Sequence, residues 1–223
     1  KKAGRGDSGL SARTRKIIGL TLTVVLAIAY VLVLNSYQAS FDSKFTPPTP
    51  EPFGVALVFV PSQMDADART ISGDLLVFLA PQLKDSEDKA KIDIAVEVLP
   101  SLTDASLTIA KGQVASPTPM SLPAPGVVQR YPLDTYDLSF VARAESLGAD
   151  GTAGNNLSTD ASVFFAVPGW SYEPGTQAAA SSSVSVAGTV LRAGSTKMVA
   201  ALMLVLMVAL AVIAVMVVQS SAA

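Results

Sequence analysis

Acid–base, nucleophilic and metal chemistry in proteins draws most often on His and Cys, and this chain contains neither. Their absence removes the common general base, the thiol nucleophile and nearly all zinc or transition-metal chemistry. Carboxylates, hydroxyls and lysines remain. The stretch MDADART sets Asp65 and Asp67 two apart, and DGTAGNN gathers Asp150, Asn155 and Asn156, so both offer hard oxygen ligands of the kind calcium takes. Neither has the spacing or the closing Glu of an EF-hand loop, and both read as exposed polar turns. KDSEDKAK, over 84–91, mixes both signs of charge and reads as a solvated loop. Gly151 and Gly154 follow no strand-to-helix pattern, so no phosphate-cradling loop is expected. The expectation is a non-enzyme with no catalytic residue, no cofactor and no metal site.

The most pointed motif is YPLDTYDLSF, over 131–140. From Tyr136 the chain alternates, with Tyr136, Leu138, Phe140 and Ala142 on one side and Thr135, Asp137, Ser139, Val141 and Arg143 on the other. That is the period of a half-buried strand. Before it, Pro132 fixes its own φ, and the short side chain of Asp134 suits a hydrogen bond from a backbone N–H two residues on. Tyr131, Pro132, Asp134 and Tyr136 therefore form a candidate structural turn or docking surface. A second aromatic motif, VPGWSYEPG, places Trp170 and Tyr172 between Pro-Gly turns. Both rings are apolar with one polar handle, which suits an anchor at a membrane interface or on a partner, or a cap on the core.

Half of the residues are apolar, only 15% are charged, and the mean hydropathy is +0.45, which exceeds what an ordinary soluble domain carries. The excess sits in two uncharged blocks, IIGLTLTVVLAIAYVLVL over 17–34 and MVAALMLVLMVALAVIAVMVV over 198–218. As helices they would be roughly 27 and 31 Å long, enough to cross a bilayer. The first is longer than a signal-peptide core and lacks a clean cleavage site after it, so a retained anchor is expected. Residues 1–16 carry six basic side chains against Asp7, a charge of +5, which leaves −7 for the rest of a chain whose net charge is −2. The basic tail predicts a cytoplasmic N-terminus, an extracytoplasmic middle and a second helix returning inward, although Arg192 and Lys197 then lie on the side that positive charge usually avoids. An acidic outer domain excludes nucleic acid as a partner.

Between the helices, TPPTPEP within 35–53 reads as a stiff polyproline stalk. Seven β-type runs follow, beginning GVALVFV, DLLVFLA, KIDIAVEVL, SLTIAKGQVA, YDLSFVARA, ASVFFAV and SSVSVAGTVL, over 54–191. With no helical period between them, they predict an antiparallel immunoglobulin-like β-sandwich held by apolar packing instead of a disulfide. VASPTPMSLPAPG, over 114–126, is rich in proline without periodicity and is expected to be a long loop. Residues 192–197 are expected to be a juxtamembrane linker. The end at 219–223 reads as incomplete.

Neither helix carries an Asp, Glu, Lys or Arg within its apolar block, so a proton or ion path through this chain alone is not expected. In the first helix Gly19, Thr23 and Ala27 fall four apart and form a small-residue face against which another helix could pack closely. A charged start, one helix, a proline-rich stalk, a cysteine-free β domain with YPLDTYDLSF and a return helix together resemble an actinobacterial family of membrane proteins of unknown function, found in mycobacteria. The resemblance implies a small accessory or scaffolding subunit of a cell-envelope complex, with a mycobacterial Mce-type lipid importer as one candidate host. It implies other membrane-protein subunits and the lipid bilayer as partners, and it carries over no catalytic residue. The alternative is an anchored module that binds lipid or glycan on the outer face.

Overall fold

A computed structural model describes residues 45–148, 150–180 and 183–221, together with 24, 27–31 and 34–35. Nine strands are β1 (Gly54–Asp65), β2 (Thr70–Leu79), β3 (Asp93–Leu99), β4 (Ser106–Ile109), β5 (Thr118–Pro123), β6 (Thr135–Leu147), β7 (Ala153–Val163), β8 (Trp170–Ala180) and β9 (Ser183–Arg192). One apolar helix, α1 (Gly194–Ser221), follows. The described residues divide into two compact units, a β unit within Ser40–Lys197 and a helical unit that includes the chain from Met198 onward.

The β unit is a nearly closed sheet in the order β4-β3-β6-β7-β1-β2-β5, with β9 also on β6 and β8 on β9. Strand β6 is long enough to serve three neighbours. One edge pairs with β3, and the other is shared between β9, over Thr135 to Ala142, and β7, over Ala144 to Leu147. Strand β7 divides its pairing in turn: Asn156 and Leu157 face β6, and from Ser158 onward it runs parallel to β1. Two separate sheets were the expectation; this divided strand joins them into one hydrogen-bonded network. Local alternation predicts strands but cannot show that one strand will serve two layers.

The side chains follow the sequence pattern closely. Tyr136, Leu138, Phe140 and Ala142 are buried while their alternates are exposed. GVALVFV is buried on both faces, as an unbroken apolar run in a strand flanked on both sides should be. Phe59 and Phe140 meet edge to face at 6.4 Å in the core.

Five elements differ from expectation. The proline-rich loop over 114–126 contains β5, whose Pro119 and Pro123 are tolerated because β5 is an edge strand with β2 as its one strand partner, its other side meeting only the irregular 101–103 segment through Ser121. The seventh strand starts at Ala153, well before ASVFFAV, and the Trp170 motif opens β8. The expected linker over 192–197 is replaced by the last residue of β9, one connecting residue and the first turn of α1. The described part of the stalk does not stand clear of the domain: Phe45 meets Phe164 edge to face at 5.0 Å, and the Ser158 hydroxyl donates to Glu51 at 2.8 Å.

Helix α1 contains a candidate span, Gly194–Val215, whose most apolar 18-residue window has a mean hydropathy of 3.1 and no buried residue, long and apolar enough to cross a bilayer. Of the small-residue face, Gly19 and Thr23 lie outside the described residues, and Ala27 is helical and exposed.

Candidate functional site

Three strand ends converge on one buried carboxylate. Asp134 comes from the residue just before β6 and Tyr136 from its start, the start of β8 delivers Trp170, and the end of β9 delivers Arg192. Pairing fixes this meeting, because Thr135 faces Leu191 across β6 and β9 while Trp170 faces Arg192 across β8 and β9. Asp134 is only 1% exposed. Its Oδ1 and Oδ2 both accept from Arg192 Nε at 3.1 Å, and Oδ2 also accepts from the Tyr136 hydroxyl at 3.1 Å.

The guanidinium itself lies between rings, with Cζ 3.8 Å from the Trp170 centroid and 5.2 Å from that of Tyr131. Tyr136 meets Trp170 edge to face at 5.4 Å. Stacking on an indole face suits a planar, weakly hydrated cation, so Arg192 is neutralised by Asp134 on one side and held by aromatic surface on the other. Burial, then the hydrogen bond to Asp134 and its charge, raise Tyr136 above the ordinary tyrosine pKa, and Arg192 opposes that shift. Room for the Tyr136 ring comes from Gly126, where a Cβ would strike both the Thr135 carbonyl and the ring. The Tyr131–Pro132 peptide bond is cis, and Leu133 N–H donates to the Arg130 carbonyl at 2.6 Å.

The structure thus brings Tyr131, Asp134, Tyr136 and Trp170 together and adds Arg192, which sequence reasoning placed only in the charge count. A signal for it existed: Arg192 is the one charged residue between Glu173 and Lys197 and stands on the side that positive charge avoids. An anomalous charge beside an apolar span asks for a partner. The backbone N–H donor expected for Asp134 is not what it takes; it accepts instead from the side chains of Tyr136 in β6 and of Arg192, 58 positions away in β9. Trp170 is 9% exposed beneath Arg192, while Tyr172 is partly buried and stacks on Phe165 at 5.8 Å.

The other acidic motifs lie apart from this cluster. Asp65 accepts from the Ala68 N–H at 2.8 Å, and Asp150 accepts from the N–H and hydroxyl of Thr152, which lower its pKa. Among the described residues no three His, Cys, Asp or Glu side chains converge on a common point.

A family described as a domain of unknown function, DUF4436, matches residues 45–191, which spans the whole sheet nearly to Arg192. The chain belongs to the DUF4436 family. No curated protein matches it. The DUF4436 match begins at Phe45, so it includes the proline-rich segment that packs on the sheet, and it ends one residue before the cation of the buried pair.

Proposed function

We propose that this DUF4436 chain is a non-catalytic accessory or scaffolding subunit of a bacterial cell-envelope membrane complex. In this reading two apolar helices anchor it in the plasma membrane, the basic N-terminus is cytoplasmic and the β domain, related to immunoglobulin-like sandwiches, lies outside. One observation carries the proposal. Asp134, the single buried carboxylate among the described residues, has both oxygens engaged by the protein's own side chains, and its cation is the last residue of the strand that leads into α1. A group so engaged is suited to fixing where the domain leaves for the membrane, not to turning over a substrate. Partner subunits are expected on the Gly19, Thr23 and Ala27 face and on the outer domain. An Mce-type lipid importer as host rests on the sequence resemblance.

A second reading, an anchored lipid- or glycan-binding module, has an open groove in its favour. Its volume is about 410 Å³, between Pro48 and Pro50 of the stalk and Val77 to Leu79 of β2. That is within the range of small-ligand sites, but it is shallow, and it shares no residue with the buried pair.

Crosslinking in intact cells followed by mild-detergent purification and mass spectrometry tests the subunit reading. Stoichiometric membrane proteins that remain through a second purification step are the expected result. A chain that purifies alone, with extractable lipid or glycan bound, would establish the second reading instead.

A further inference from the structure

Residues 45–52 of the proline-rich segment lie on the β unit as a strap, and side chains do nearly all of the holding. Phe45 meets Phe164 edge to face at 5.0 Å and Phe78 at 6.2 Å. Pro48, Thr49 and Pro50 line the same open groove as Val77, Phe78 and Leu79, and Glu51 accepts from the Ser158 hydroxyl. Among the described residues the strap's one backbone hydrogen bond is local, from Gly54 N–H to the Glu51 carbonyl at 2.8 Å. No ladder has to break for the strap to leave. The DUF4436 match takes it in from its first residue.

The face beneath is apolar. Phe78 stands opposite Ala56 across β1 and β2, so the two side chains share one side of the sheet, and Val58 shares it by alternation. Ala56 and Val58 are each 1% exposed yet lie outside the main apolar cluster, which takes Val55, Leu57 and Phe59 from the other side of β1. The Phe45 ring on Phe78 identifies the cover. An aromatic side chain followed by extended, proline-rich backbone is the occupant that this face already accepts.

The turn that reverses the strap into β1 is strained. It runs Glu51–Pro52–Phe53–Gly54, and Phe53, in third place, has φ 59. A positive φ at that place selects Gly or Asn in ordinary turns. The Phe53 ring is 62% exposed, so its own burial does not offset the strain. A strained hinge beside a detachable segment favours trading that segment with a second copy, because the exchanged pair keeps every strap contact and need not keep the turn.

We infer that the strap is an exchange element: two copies of this chain lay residues 45–52 on each other's β1–β2 face, Phe45 of each seated between Phe78 and Phe164 of the other. Such pairing holds whichever partner or ligand the domain serves.

The chain has no cysteine, so introduced ones report alone. One full-length copy carries Glu51→Cys and a second, differently tagged, carries Ser158→Cys; the two are co-expressed and treated in membranes with a short thiol-to-thiol crosslinker. A link between the two tags is expected. Phe53→Gly in both copies should lower it roughly tenfold by relieving the turn, and Phe45→Ala, which empties the aromatic seat, should abolish it. A single copy carrying both cysteines reports seating on its own domain. An internal link in that copy with no link between tags overturns the exchange. No link of either kind overturns it as well, since the strap would then not be seated at all. A link between tags that both substitutions leave unchanged overturns strap exchange as its source.

Discussion

Replacing Arg192 with Met tests the buried pair most directly. The Met side chain keeps much of the apolar volume beneath Tyr131 and over Trp170 but removes the cation, leaving the Asp134 carboxylate with only the Tyr136 hydroxyl. The carboxylate side chain is fully buried and the Arg192 side chain 20% exposed. Breaking a buried pair by removing one partner costs about 3–5 kcal/mol, and the partial exposure of Arg192 places this case at the lower end, about 3 kcal/mol. For a domain of this size about 3 kcal/mol corresponds to a fall in Tm of roughly 6–12 °C. Removing both partners, in Asp134→Leu with Arg192→Met, leaves no charge behind and should restore most of the loss. Thermal unfolding of the full chain in detergent, run on the wild type, both single variants and the double, gives the coupling directly. If Arg192→Met loses less than about 1 kcal/mol, or if the double variant is as unstable as the two singles added together, the pair does not hold this end of the sheet.

Tyr136 adds a pH dependence. Its pKa is raised in the folded chain, so its contribution is fully present below the ordinary tyrosine pKa near 10 and is lost as pH rises through the raised value. Tyr136→Phe should cost about 1 kcal/mol at neutral pH and flatten the alkaline decline of a denaturant midpoint, with the part due to Tyr172, which burial also raises, remaining. Gly126→Ala should destabilise by about 2 kcal/mol, because its Cβ meets both backbone and the Tyr136 ring, and chemical denaturation would show it. For topology, a cysteine placed at Ser8 should be protected from an impermeant thiol reagent in intact cells and one at Ser116 should react. The reverse pattern would invert the orientation.

The strands from Tyr136 to Ala142 and from Gly54 to Val60 were legible because burial imposes a short period on a short run, and that period survives without knowledge of the neighbours. Strand β5 was not, since prolines are excluded from central strands and nothing local says that a run will lie at an edge. The turn at Asp134 was half legible. Its residues were identified as special, but the reason is a cation 58 positions later, and sequence separation carries no local trace of such a pairing. Trp170, between Pro-Gly turns, reads from the sequence as an interface or partner anchor or as a cap on the core; the register with Arg192 that sets its ring beneath a cation is a property of the folded sheet.

Trp170 is the chain's only tryptophan, and a positive charge lies 3.8 Å above its ring. The intrinsic fluorescence of this protein is therefore a single-site optical probe of one joint. Emission from an indole so placed responds to departure of the guanidinium or entry of water, while the far end of the sheet, up to about 30 Å away, contributes nothing to the signal. A red shift that precedes loss of the β circular dichroism on heating would mark this joint opening first. Coincident changes would mark one cooperative unit, read without any added label.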